Sequence, residues 1–150
     1  MNIQELHTQA MELADKADVL KQKLMTEDAN SLYAQSLKAE KEAAYAARKE
    51  HLGEPTESVL FRSAASLAYC LKDYREAERL ICMGLAGEPP AEIADELRSL
   101  YNTVALDRSM SDLTTNDSNK EREKVTIAIP VKERKLLDVL VKKFGWACVF

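Results

Sequence analysis

The sequence predicts a mainly α protein: a five-helix antiparallel body, a flexible linker, and a small C-terminal element of one β-strand plus a helix. Three observations carry that expectation. Among 150 residues only 4 are Gly and 4 are Pro, while Ala, Leu, Glu and Lys abound, which favours helices over a turn-rich β fold. Apolar residues recur at steps of three, four and seven as far as Val104, the spacing of one helical face. The period then changes to two at Val125, Ile127 and Ile129, as in a strand.

No Gly or Pro occurs in the first 52 residues. There Ile3, Leu6, Ala10, Leu13, Ala17, Leu20 and Leu24 form one stripe, predicting a first helix. Thr26 before Glu27, Asp28 and Ala29 predicts an N-cap with acids in the first turn of a second helix. That helix carries Ala29, Leu32, Tyr33, Ser36 and Leu37 on one face, then becomes Ala-rich and charged from Lys38 and extends to Leu52. A third helix is expected near Thr56, after Pro55. It is small or apolar nearly all round, as central helices are. Lys72-Asp73-Tyr74 reads as a tight turn. A fourth helix follows from Arg75 with Ala77, Leu80, Ile81 and Leu85 inward, and Gly87 as its stop. Pro90 opens a fifth, whose apolar side is Ile93, Leu97, Leu100, Tyr101 and Val104. Periodicity ends at Asp107, so the body is bounded at 1–106. Residues 107–124, polar and poor in large apolar side chains, read as the linker. In the C-terminal element, 125–150, Pro130 ends the strand and Leu136, Leu137, Leu140, Val141 and Phe144 make a short helix before Gly145.

Composition excludes several classes. No apolar run approaches the ~20 residues of a membrane span, and the start shows no basic and apolar leader pattern. Cys70, Cys82 and Cys148 cannot all pair and lack metal-ligand spacing, so a reducing cytoplasm is the expected compartment. His7 and His51 are the only histidines, and neither lies in a recognisable nucleophile pattern. No phosphate loop, zinc motif or calcium loop is present. No catalytic residue, metal or cofactor is expected, and the carboxylates read as solvated helix faces.

Phe61 to Pro89 resembles a tetratricopeptide repeat. Phe61 stands at the aromatic position opening the first helix, Ala65 at the small residue four positions on, and Asp73, Tyr74 and Ala77 at the turn and second helix. Leu85 and Pro89 match the closing pattern. Departures are Lys72 where Gly is usual, Ala68 where a larger side chain is common, and Gly84 where Ala is common. Ala17, Leu20, Ala29, Tyr33, Ser36 and Leu37 form a weaker copy, with Leu24-Met25 at the turn. Ala29 and Ala77 stand 48 residues apart, longer than the usual repeat of ~34. The fifth helix would cap the stack.

Such a stack has a concave face lined by the first helix of each pair. The resemblance implies groove positions at Met11, Ala14, Asp18, Lys21 and Gln22, then at Val59, Arg62, Ser66, Tyr69 and Cys70. Arg62 and Tyr69 are the best anchor types. The clustered Lys and Asn that clamp a peptide carboxylate in some family members are missing.

Residues 125–150 hold five Lys/Arg against two Asp/Glu, about +3, while the remainder is −7. A piece this short builds no core alone, so Ile127, Ile129, Leu136, Leu140, Phe144 and Trp146 need covering, by the helical body, by a second copy or by a sheet of another protein. Val125 through Pro130 with Leu136-Leu137 and Gly145-Trp146 resembles small bacterial antitoxin-like proteins of strand-then-helix form. Lys132, Arg134, Lys135, Lys142 and Lys143 are the residues that DNA contact would use, although nucleic acid is not expected as a partner, nor is a membrane.

Two functions follow as expectations. One is a non-enzymatic interaction or scaffold module of a bacterial complex, binding another protein or peptide through Asp18, Lys21, Gln22, Arg62, Ser66 and Tyr69 and through the C-terminal segment. The other is an antitoxin-like regulator whose C-terminal segment neutralises a toxin or forms a homodimer, with DNA contact as a variant.

Overall fold

The computed structural model describes residues 2–116. These form five helices: α1 (Ile3–Gln22), α2 (Thr26–Lys49), α3 (Thr56–Cys70), α4 (Tyr74–Leu85) and α5 (Ala91–Asn116). The mainly α class is therefore observed. The expected strand and helix of 125–150, and the linker from residue 117 onward, lie outside the described residues.

Local signals explain most boundaries. Asn2 and Glu5 close a reciprocal cap at the start of α1, satisfying donors that the first turn leaves open. Asp73 accepts from the Glu76 N–H to start α4. Glu54 does the same for the Ser58 N–H in the first turn of α3. Thr26 does not cap α2: it is the first helical residue, and Met25 holds the cap position without a side-chain bond.

The helix ends follow a rule that counting glycines does not detect. Leu24, His51 and Lys72 hold left-handed backbone, at φ 62°, 54° and 60°, where glycine is the usual occupant. Each is followed by the same closing pair of bonds. Leu24 N–H donates to Lys21 C=O and Met25 N–H to Leu20 C=O; His51 and Leu52 repeat this on Arg48 and Ala47, and Lys72 and Asp73 on Tyr69 and Ala68. Leu24 thus leaves the α1 stripe and stands 87% exposed. The second helix ends at Lys49, short of Leu52. Gly87 is not the left-handed stop expected of it, since α4 ends at Leu85 with Ala86 in right-handed geometry. A Cβ on Gly87 would meet a Glu54 carboxylate oxygen at 2.7 Å.

Helices α1 and α2 form one antiparallel hairpin and α3 and α4 a second. Their turns have nearly the same backbone: Met25 at φ −86°, ψ 69° and Asp73 at φ −81°, ψ 73°. Buried positions recur in register, with Ala17 matching Ala65, Ala29 matching Ala77, and Tyr33 matching Ile81. Helix α2 packs on α3, and the alanines there explain how. Ala39, Ala43, Ala44 and Ala47 are buried, so a sequence that looks solvated presents a flat, small-residue face on which Leu60, Phe61 and Ala64 seat.

Gly84 has a comparable role. A Cβ there would stand 3.0 Å from Leu97 Cδ1 and 3.3 Å from Phe61 Cβ, so its missing side chain lets α3, α4 and α5 converge. Leu97 and Val104 of α5 are fully buried, whereas Tyr101, expected on the apolar side, is 42% exposed. Helix α5 also runs on through Asn116, ten residues into the stretch expected to be linker. Asp107 accepts a bond from the Tyr69 hydroxyl at 2.7 Å, and Arg108 donates to Glu78 at 2.7 Å. These polar contacts with α3 and α4 hold the helix where apolar periodicity has stopped. Met1–Thr115 accordingly form one compact unit, larger than the body bounded at 106.

Candidate functional site

Cross-helix pairs give the directions of the helices. Arg62 meets Glu96, and Tyr69 meets Asp107, so α3 and α5 run the same way. Lys41 meets Glu76, and Arg48 meets Met83, so α2 and α4 also share a direction. The opposite sense of α1 and α2 follows from His7 with Glu40 and Asp18 with Tyr33.

A groove of about 400 Å³ is lined by Met11 and Ala14 of α1, Arg62, Ser63, Ser66 and Leu67 of α3, and Glu96 and Leu100 of α5. Its floor is apolar. The Arg62–Glu96 ion pair borders it, both side chains being partly exposed at 32% and 53%, and pairs so placed contribute little to stability. They remain accessible to a ligand. Ser66 turns its hydroxyl back to the Arg62 carbonyl at 3.0 Å.

The expected site residues divide in two. Arg62 and Ser66 stand in the groove with Met11 and Ala14. Asp18, Lys21 and Cys70 gather nearer the turn end of the first hairpin, around Tyr33. The buried Tyr33 hydroxyl donates to Asp18, and Lys21 Nζ lies 5.8 Å from the Tyr33 ring centre. Burial and the Asp18 bond both raise the Tyr33 hydroxyl above its ordinary range. Gln22 is exposed in the last turn of α1. Tyr69 is half-buried against Tyr74, with ring centres 6.4 Å apart. Its bond to Asp107, and then burial, raise its pKa. Cys70 is half-buried, and desolvation pushes its thiol up, with Lys21 pulling the other way. Such a thiol is a poor nucleophile at neutral pH. Ile127, Ile129, Leu136, Leu140, Phe144 and Trp146 lie outside the described residues.

Two polar residues escaped the sequence reading. Glu40, placed there among solvated carboxylates, is fully buried. His7 Nδ1 approaches its carboxylate oxygens at 3.0 and 2.9 Å, and Ser63 of α3 favours its charged form. The available signal was its position: Glu40 falls between Ser36 and Ala43–Ala44, on the small-residue face of α2. Arg48 spans the two hairpins. Its guanidinium carbon sits 4.4 Å from the Phe61 ring centre, Nη2 donates to the Met83 carbonyl at 2.6 Å, and Nε faces Glu57 at 3.5 Å. Arg48 thus satisfies a carbonyl in the last turn of α4, one of those a helix end leaves open. His51 sits exposed at its turn, three residues on.

Among the described residues no group of three or more His, Cys, Asp or Glu side chains is placed to hold a metal ion, and no helix is long and apolar enough to cross a membrane. No family model matches the chain, and comparison with curated proteins and with solved structures gives no match.

Proposed function

We propose that the chain is a non-enzymatic interaction module, a tetratricopeptide-like pair of hairpins capped by α5, which holds a segment of another protein against α1, α3 and α5. The observation that carries this is the shared groove. Three helices from successive positions in the stack line one apolar floor, with an accessible Arg–Glu pair and two serines beside it. That arrangement offers anchor packing together with adjustable polar contacts.

Charge narrows the partner. Helix α1 carries four carboxylates against two lysines, and α5 five against two arginines, while α2, α3 and α4 are each balanced. Two of the three groove helices thus hold the net negative charge of the five, which favours a partner segment with basic residues flanking an apolar anchor. The C-terminal segment 125–150 serves as a second docking element, and tethering two weak contacts raises the effective affinity. The cytoplasm is the compartment we assign, on the cysteine pattern.

Affinity capture from the native cell, with wild-type chain and Ser66→Phe, tests the proposal. Ser66 is exposed, so the substitution obstructs the groove without entering the core. Loss of the captured partner, with the helical circular dichroism kept, is the expected result. Retained capture overturns the groove. If capture also fails once the chain stops at Asn116, both elements are needed. A partner retained by Ser66→Phe but lost on that truncation favours the antitoxin-like alternative.

A further inference from the structure

We propose that His7, Glu40 and Ser63 form a proton-dependent latch that holds the first hairpin against α3. The three side chains come from α1, α2 and α3, the helices that meet at the seam between the hairpins. Glu40 is the only charged side chain that is fully buried among the described residues. Its carboxylate lies 2.9 Å from His7 Nδ1, and Ser63 of α3, which also lines the groove, favours its charged form. The His7 side chain is 29% exposed, so protons exchange with solvent through the imidazole.

Few other charges act on this cluster. From α1 the titratable group facing Glu40 is His7, and from α3 the hydroxyl of Ser63. The nearby cations of α2 are engaged elsewhere, Lys41 with Glu76 and Arg48 with Met83 and Glu57. The pair with one proton is neutral overall, whichever atom carries it. Without that proton the pair carries an uncompensated negative charge in the apolar seam, which is unfavourable. The latch therefore holds while the pair keeps a proton and loosens as pH rises.

The direction of Glu40's titration agrees. Burial raises its carboxyl above the ordinary value of 4.5, with His7 and Ser63 pulling partly back. The fold thus keeps a proton that the unfolded chain releases, and stability declines as pH climbs from about 4.5 through the raised value.

Thermal unfolding and amide hydrogen exchange on the full chain between pH 5 and 8.5 test the latch. For the wild type, Tm should fall by roughly 5 °C across that range, and amide protection in α1 and α2 should fall about tenfold more than in α4. Glu40→Gln, which cannot ionise, should flatten both trends relative to the wild type. Parallel wild-type and Glu40→Gln profiles overturn the proposal. Should Glu40→Gln fail to fold, His7→Gln decides: without the imidazole that pulls Glu40 down, the decline should extend to higher pH, and an unchanged profile overturns the latch.

Discussion

Leu24, His51 and Lys72 show how much of this fold depends on single residues held in an unfavourable conformation. A left-handed residue with a Cβ carries about 1–2 kcal/mol of strain, accepted here because each one closes a helix. Glycine removes that strain at some entropic cost. Lys72→Gly and Leu24→Gly should each stabilise the protein by about 0.5–1 kcal/mol, read as a rise in denaturant midpoint at constant slope; a fall would contradict the turn geometry. Gly84 is the opposite case. Alanine there gains helix propensity of about 1 kcal/mol, offset by the push on Leu97 and Phe61, so Gly84→Ala should be near neutral. Gly84→Val should cost about 2 kcal/mol or more through overpacking. At Cys70 burial raises the thiol while Cys82 is exposed. In a Cys148→Ser background, a thiol reagent at pH 8 should therefore modify Cys82 several-fold faster than Cys70.

Among the elements, α2 and α5 are the informative ones. Helix α2 has the composition of a solvated helix and the packing of an interior one, because its charges and alanines segregate around the axis. Glu40 and Arg48 are the exceptions: Glu40 is fully buried, and Arg48 reaches inward along the seam, stacking on Phe61 and capping α4. Arg48→Met keeps the stem and removes the donors. It should cost about 1–3 kcal/mol, and Arg48→Lys should recover little, since an ammonium lacks the flat face and the fork. Equal stability of the lysine variant and the wild type would show that stacking and bidentate reach do not matter there. Helix α5 was legible only to Val104 because its continuation is held by Asp107 and Arg108, polar residues whose partners Tyr69 and Glu78 lie on other helices. A period-based reading has no access to such pairs. Ending the chain at Leu106 should accordingly lower Tm by about 5–10 °C relative to an ending at Asn116, measured by circular dichroism.

For the molecule as a whole, the sequence by itself determined the number and order of the helices among the described residues, most of their apolar faces and the 48-residue correspondence between the hairpins. Those features follow from periodicity and small-residue placement, which are local in the chain. Part of the groove was legible too, since Arg62 and Ser66 follow from the helix register once the hairpin is assumed. Tertiary structure alone decided which polar residues are structural. Glu40 looks like any surface glutamate until α1 and α3 close over it, and Arg48 like any surface arginine until Phe61 and Met83 come within reach. It likewise decided how far α5 extends and that Tyr101 and Leu24 face solvent. The physical reason is the same in each case: burial and pairing of polar groups depend on what other helices bring to a position, and no spacing within one helix encodes that.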